Sequence, residues 1–84
     1  MNAPKPDWSA REALVNEAMT AYVAWREAAT AVRDAYRRWQ AAGREERYFA
    51  FAGYRSALER EEHAAAGYAR LLASADTADT AVAA

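Results

Sequence analysis

The chain has 84 residues, of which 45 are hydrophobic, but 25 of those 45 are alanine and only 20 are larger apolar side chains. At roughly 25 cal/mol per Å² of buried apolar surface, such a chain supports a modest core; its length excludes a multidomain enzyme and its alanine excess a strand-rich fold. Cysteine is absent, which excludes disulfides and thiolate metal sites, and eleven basic against twelve acidic side chains give no global drive toward nucleic acid or anionic lipid.

The first residues, 1–8, are expected to be extended, because Pro4 and Pro6 push the residues before them out of the helical region. They contain no apolar stretch of the secretory kind, and no later run approaches the ~20 apolar residues that cross a bilayer. A cytoplasmic location with no membrane partner is the expectation. Ser9 and Glu12 have capping-box spacing, so a helix is predicted from Ser9, with Trp8 packing back on the first turn near Ala13. Neither glycine nor proline interrupts the chain from Ala10 to Ala42, and Ala, Arg and Glu favour helix throughout. Gly43 is placed to end that helix in a left-handed conformation. The turn is predicted over 42–44 and a second helix over 45–73, with Glu45 and Glu46 in its first turn, where the dipole favours acids. Residues 74–84 repeat Ala-Asp-Thr and read as a frayed tail.

Apolar spacing sets the fold class as an all-α, antiparallel two-helix hairpin. Val15, Ala18, Tyr22, Trp25, Ala29, Val32, Tyr36 and Trp39 alternate steps of three and four, the seam pattern of a coiled coil. Phe51, Tyr54, Leu58, Glu61, Ala65, Tyr68 and Leu72 repeat the pattern on the second helix. Facing residues in a hairpin have a constant sum of residue numbers. A sum of 83 pairs Val15 with Tyr68, Tyr22 with Glu61 and Val32 with Phe51. A second column, Ala21, Ala28 and Ala35, faces Ala64, Ala57 and Ala50 at a sum of 85.

Two helices share a single line of contact, so a lone hairpin leaves apolar surface wet. Gly53 and Gly67 lie fourteen residues apart beside the alanine column of helix two, each costing about 1 kcal/mol against Ala in a helix. The expectation is a homodimeric four-helix bundle that self-associates through Ala21, Ala28, Ala35, Ala50, Gly53, Ala57, Ala64 and Gly67.

The segment around the turn differs from the rest. Residues 33–55 carry six positive and three negative charges, and six of the ten aromatic residues. Arg37, Arg38, Trp39, Arg44, Arg47, Tyr48 and Phe49 are the candidate partner-binding residues, since Trp, Tyr and Arg dominate protein interfaces. The expected partner is a protein with an acidic surface. The alternative is a nucleic-acid-binding hairpin that stacks bases on the same aromatics.

No enzyme, cofactor or metal is expected. Glu59, Glu61, Glu62 and His63 form the one carboxylate–histidine cluster, but Arg60 occupies the position that a Glu-x-x-His di-metal helix needs. Arg55–Glu59 and Glu59–His63 surface pairs are expected instead. Glu61 falls in the predicted seam opposite Tyr22, and since an unpaired buried carboxylate is costly it is expected to bond the tyrosine hydroxyl or an arginine, or to reach solvent. A hairpin of this length is similar in architecture to the secreted Trp-x-Gly hairpin proteins, but Trp39-Gln40-Ala41-Ala42-Gly43 departs from their motif. No family is assigned.

Overall fold

The computed structural model describes residues 8–83, with side chains described from 9 to 77, so residues 1–7 of the expected extended segment and the packing of the Trp8 side chain lie outside the described residues, while Trp8 itself is helical rather than extended. Two helices, α1 (Trp8–Ala41) and α2 (Arg47–Ala83), pack against each other as a hairpin. The fold class is therefore the one the apolar spacing implies. No helix among the described residues is long and apolar enough to cross a membrane.

Several boundaries move. The first helix begins at Trp8, which puts Ser9 inside its first turn rather than at its cap. At the other end, φ is not positive at Gly43. The helix closes instead with a tight bond from the Ala42 N–H to the Trp39 carbonyl at 3.3 Å. A second turn follows, in which the Glu46 N–H donates to the Gly43 carbonyl at 3.1 Å. The Ala50 N–H then donates to the Glu46 carbonyl at 2.9 Å, opening α2. The connection is thus longer than predicted, and Glu45 and Glu46 precede α2 rather than occupying its first turn. They still lie at its positive end, and Arg38 lies in the last turn of α1, at the negative end of that dipole.

The predicted frayed tail is corrected as well: α2 continues through Ser74 to Ala83. No glycine or proline intervenes there, and alanine supplies propensity. Thr77 bonds back through its hydroxyl to the Ala73 carbonyl at 2.9 Å, and Ala75 is half-buried. The seam therefore has a residue to cover as far as position 75.

The register also differs from the predicted sums of 83 and 85. Tyr22 meets Tyr68 and Tyr36 meets Tyr54, both at a sum of 90. Trp25 reaches Glu61 at 86, and Trp39 stacks on Tyr54 at 93. A register centred near 89 puts an alanine opposite a larger residue in layer after layer: Trp39 with Ala50, Ala35 with Tyr54, Val32 with Ala57, Ala28 with Glu61, Trp25 with Ala64, Ala21 with Tyr68. Ala35 and Ala57, 3% and 2% exposed, are the buried apolar residues among those described. The alanine columns are thus the inner seam of the hairpin. The column of Val15, Tyr22, Ala29 and Tyr36, read above as seam, lies beside it, and only Ala29 of the four is not exposed.

Because Gly43 has an ordinary backbone and a Cβ added there would meet nothing within 4 Å, Gly43→Ala is expected to be neutral or stabilising by up to about 1 kcal/mol in urea unfolding. A loss of more than about 1 kcal/mol would show that the turn needs a left-handed glycine.

Candidate functional site

The tip of the hairpin is built on stacked aromatic rings. Trp39 lies 5.5 Å from Tyr54 with ring planes 17° apart, and 5.0 Å from Phe51. Tyr36 completes the group, 5.5 Å from Tyr54 and 6.0 Å edge-on from Trp39. Trp39 is half-buried in this stack, so among the candidate partner-binding residues it is a packing residue first. Tyr48 and Phe49 differ. At 76% and 73% exposed, they meet each other edge-to-face at 5.7 Å on the first turn of α2.

The arginines sit on both sides of the tip. Arg38 and Phe49 line one groove, of about 640 Å³, together with Ala35, Glu46 and Gly53. Arg47 lines a smaller one, of about 230 Å³, with Tyr36, Trp39 and Gln40. Arg44 is exposed in the connection itself. Arg37 is tied to Asp34 at 3.7 Å, an exposed pair worth little to stability. The structure therefore brings Arg38, Arg44, Arg47, Tyr48 and Phe49 to one end as available side chains.

A second aromatic stack lies further along the hairpin. Trp25 stacks on Tyr68 at 5.8 Å and 20°, with Tyr22 5.5 Å from Tyr68 and 6.0 Å edge-on from Trp25. This repeats the geometry of Trp39, Tyr54 and Tyr36 two heptads away. The sequence carries the signal: Ala21-Tyr22-x-x-Trp25 recurs as Ala35-Tyr36-x-x-Trp39, and Ala52-Gly53-Tyr54 as Ala66-Gly67-Tyr68. The fourteen-residue spacing of the two glycines is thus one part of a repeat that runs through both helices.

The two stacks differ in one respect. In the inner one the Trp25 indole N–H donates to Glu61 Oε2 at 2.8 Å. That bond answers the seam carboxylate, whose partner is the tryptophan rather than the Tyr22 hydroxyl or an arginine. The shifted register explains the change, because it aligns Glu61 with Ala28 and leaves room for the indole to reach across. Glu59, Glu62 and His63 lie on exposed positions, and the described residues contain no group of three or more ligands that could hold a metal ion. The expected Arg55–Glu59 and Glu59–His63 pairs do not close among the described residues. Long exposed side chains gain too little from such pairing to be held in one geometry.

The predicted self-association residues occupy three environments. Ala35 and Ala57 are closed off inside the hairpin. Ala21, Ala28, Ala50, Ala64 and Gly67 are half-buried along the same line, and Gly53 is exposed. Ala35 and Ala57 leave little surface for a second copy, since α1 and α2 already cover them. No family model, curated protein or solved structure matches this chain.

The Trp25–Glu61 bond is partly buried and joins residues 36 apart. A double-mutant cycle with Trp25→Phe and Glu61→Ala, read by urea unfolding at fixed protein concentration, is expected to give a coupling of about 1–2 kcal/mol. Additive effects would show that the indole and carboxylate act independently.

Proposed function

We propose that the protein is a small, non-enzymatic helical assembly module that self-associates and presents its aromatic, Arg-rich tip to a protein with an acidic surface. The observation that carries the partner-binding half is the exposure of Tyr48 and Phe49. Two large aromatic side chains stand in solvent beside Arg38, Arg44 and Arg47, and the hairpin does not use them for its own packing. Aromatic and arginine side chains of this kind supply most of the energy of protein interfaces, and the excess positive charge speeds encounter with an acidic surface.

Support for self-association comes from the shape. The Cα extents are 69 × 25 × 13 Å, so the hairpin is one layer of helices, whereas a stable core lies between two layers. Its accessible surface is 6875 Å², against about 5,000 Å² for a compact chain of 9.3 kDa. The proposed setting is the cytoplasm.

The test is Tyr48→Ala/Phe49→Ala, which removes exposed rings and is expected to leave far-UV circular dichroism unchanged. Proteins recovered from host extract with the wild type are expected to be lost with this variant. Recovery of the same proteins by both would contradict a binding role for the tip. Salt-dependent oligonucleotide binding, abolished by replacing Arg37, Arg38, Arg44 and Arg47 with Ala, would favour nucleic acid as the partner.

A further inference from the structure

The large apolar side chains that the hairpin leaves exposed are not scattered. Of nine among the described residues, Val15, Tyr22, Tyr36, Phe51 and Leu72 belong to two columns spaced by seven, one on each helix. Ala29, Leu58 and Ala65 fill the same columns and are half-buried. Met19 and Tyr48 lie one step further round the same side, and only Val23 and Phe49 fall elsewhere. The two columns flank the aromatic stacks, as the contacts of Tyr22 with Tyr68 and of Phe51 with Trp39 show. Each helix therefore has three adjacent apolar columns. Two serve the hairpin, and the third widens the stripe to what a helix in a larger bundle carries.

We propose that this third-column face, and not the alanine–glycine line, is where a second copy of the chain packs, with the two tips at opposite ends of a four-helix bundle. The proposal rests on the self-association reading above and specifies its surface and orientation.

Three observations favour a second copy, the last two in this orientation. The first is shape: the chain exposes 6875 Å², about 1,900 Å² more than a compact chain of its mass, as an elongated protomer that closes against a partner does. The second is charge. Residues 33–55 carry a net charge of +3, from six positive and three negative groups, while the rest of the chain carries −4. Copies with tips together would bring like charges side by side. Copies with tips apart lay each basic tip over the open end of the other, where residues 9–18 and 68–80 carry two positive and four negative groups.

The third observation is side-chain size. With tips apart and α1 over α1, the face pairs Tyr36 with the second copy's Val15, and Ala29 with its Tyr22. On α2 it pairs Phe51 with Leu72 and Leu58 with Ala65. Each match sets a larger side chain against a smaller one, the condition for interdigitation. With tips together, Tyr36 would meet Phe51 at the most crowded layer.

The glycines fit the same assignment. A Cβ at Gly53 would meet nothing within 4 Å, and at Gly67 only the end of Arg70 at 3.8 Å. Both lie on the side of the hairpin away from the proposed face, so alanine there is accommodated.

Sedimentation equilibrium over a wide concentration range tests the proposal. Wild type is expected to be dimeric at micromolar concentration. Val15→Glu/Leu72→Glu, at positions 51% and 46% exposed, is expected to weaken the dimer at least tenfold with helical signal retained when saturated with dimer or at low temperature. Gly53→Ala/Gly67→Ala is expected to leave the dimer intact. A dimer that survives the glutamates but is lost with the alanines overturns this face while keeping self-association. A wild type monomeric at every concentration overturns both, and leaves the face to a different protein.

Orientation has its own readout. The chain has no cysteine, so spin labels at Arg44→Cys report the distance between tips. Tips apart predict a separation of about 50 Å or more, the length of a 34-residue helix at 1.5 Å per residue. A separation under about 30 Å would reverse the orientation.

Discussion

An alanine set opposite a larger side chain in successive layers governs how this hairpin is built. Where Ala35 and Ala57 close the seam, there is no bulk to hold the two backbones apart. The large members of the layers, Trp25, Trp39, Tyr54 and Tyr68, are half-buried rather than enclosed between the helices. They lean to one side and stack on one another there, Trp25 on Tyr68 and Trp39 on Tyr54. The hairpin thus acquires two unlike faces from one packing rule. One side is small and polar, and the other carries aromatic stacks with Tyr22, Tyr36 and Phe51 beside them.

The same rule accounts for what the hairpin lacks. Two helices in a layer 13 Å thick bury two alanines among the described residues and fully enclose no side chain larger than these. Burying the neighbouring column would be worth about 25 cal/mol per Å² to whatever covers it. Function at the tip is compatible with this arrangement. Phe49, 73% exposed, lies off the proposed dimer face, so a copy docked there would leave it open to a different protein.

Much of the architecture was legible in the sequence, and the failures have physical causes. Helix type, number and antiparallel pairing followed from uninterrupted propensity and three-four spacing. The register did not, because the pattern admits two seams. Ala18, Trp25, Val32 and Trp39 alternate equally well with Val15, Tyr22, Ala29 and Tyr36 or with Leu14, Ala21, Ala28 and Ala35. Bulk favoured the first choice, whereas close approach favours the second. Gly43 gave a further false cue, because two successive hydrogen-bonded turns, not a left-handed glycine, reverse the chain. The tip was recognisable from its composition, but composition could not separate Trp39, held in a stack, from Tyr48 and Phe49, which stand outside it.

The central claim is that one face of the hairpin is closed by assembly while the tip stays open. Hydroxyl-radical footprinting across a concentration series tests it directly. As the protein is concentrated, Met19, Tyr22, Tyr36, Phe51 and Leu72 should become protected together, while Phe49 stays reactive. Protection confined to Tyr48 and Phe49, or reactivity of Met19, Tyr22 and Leu72 that does not change with concentration, would contradict the account.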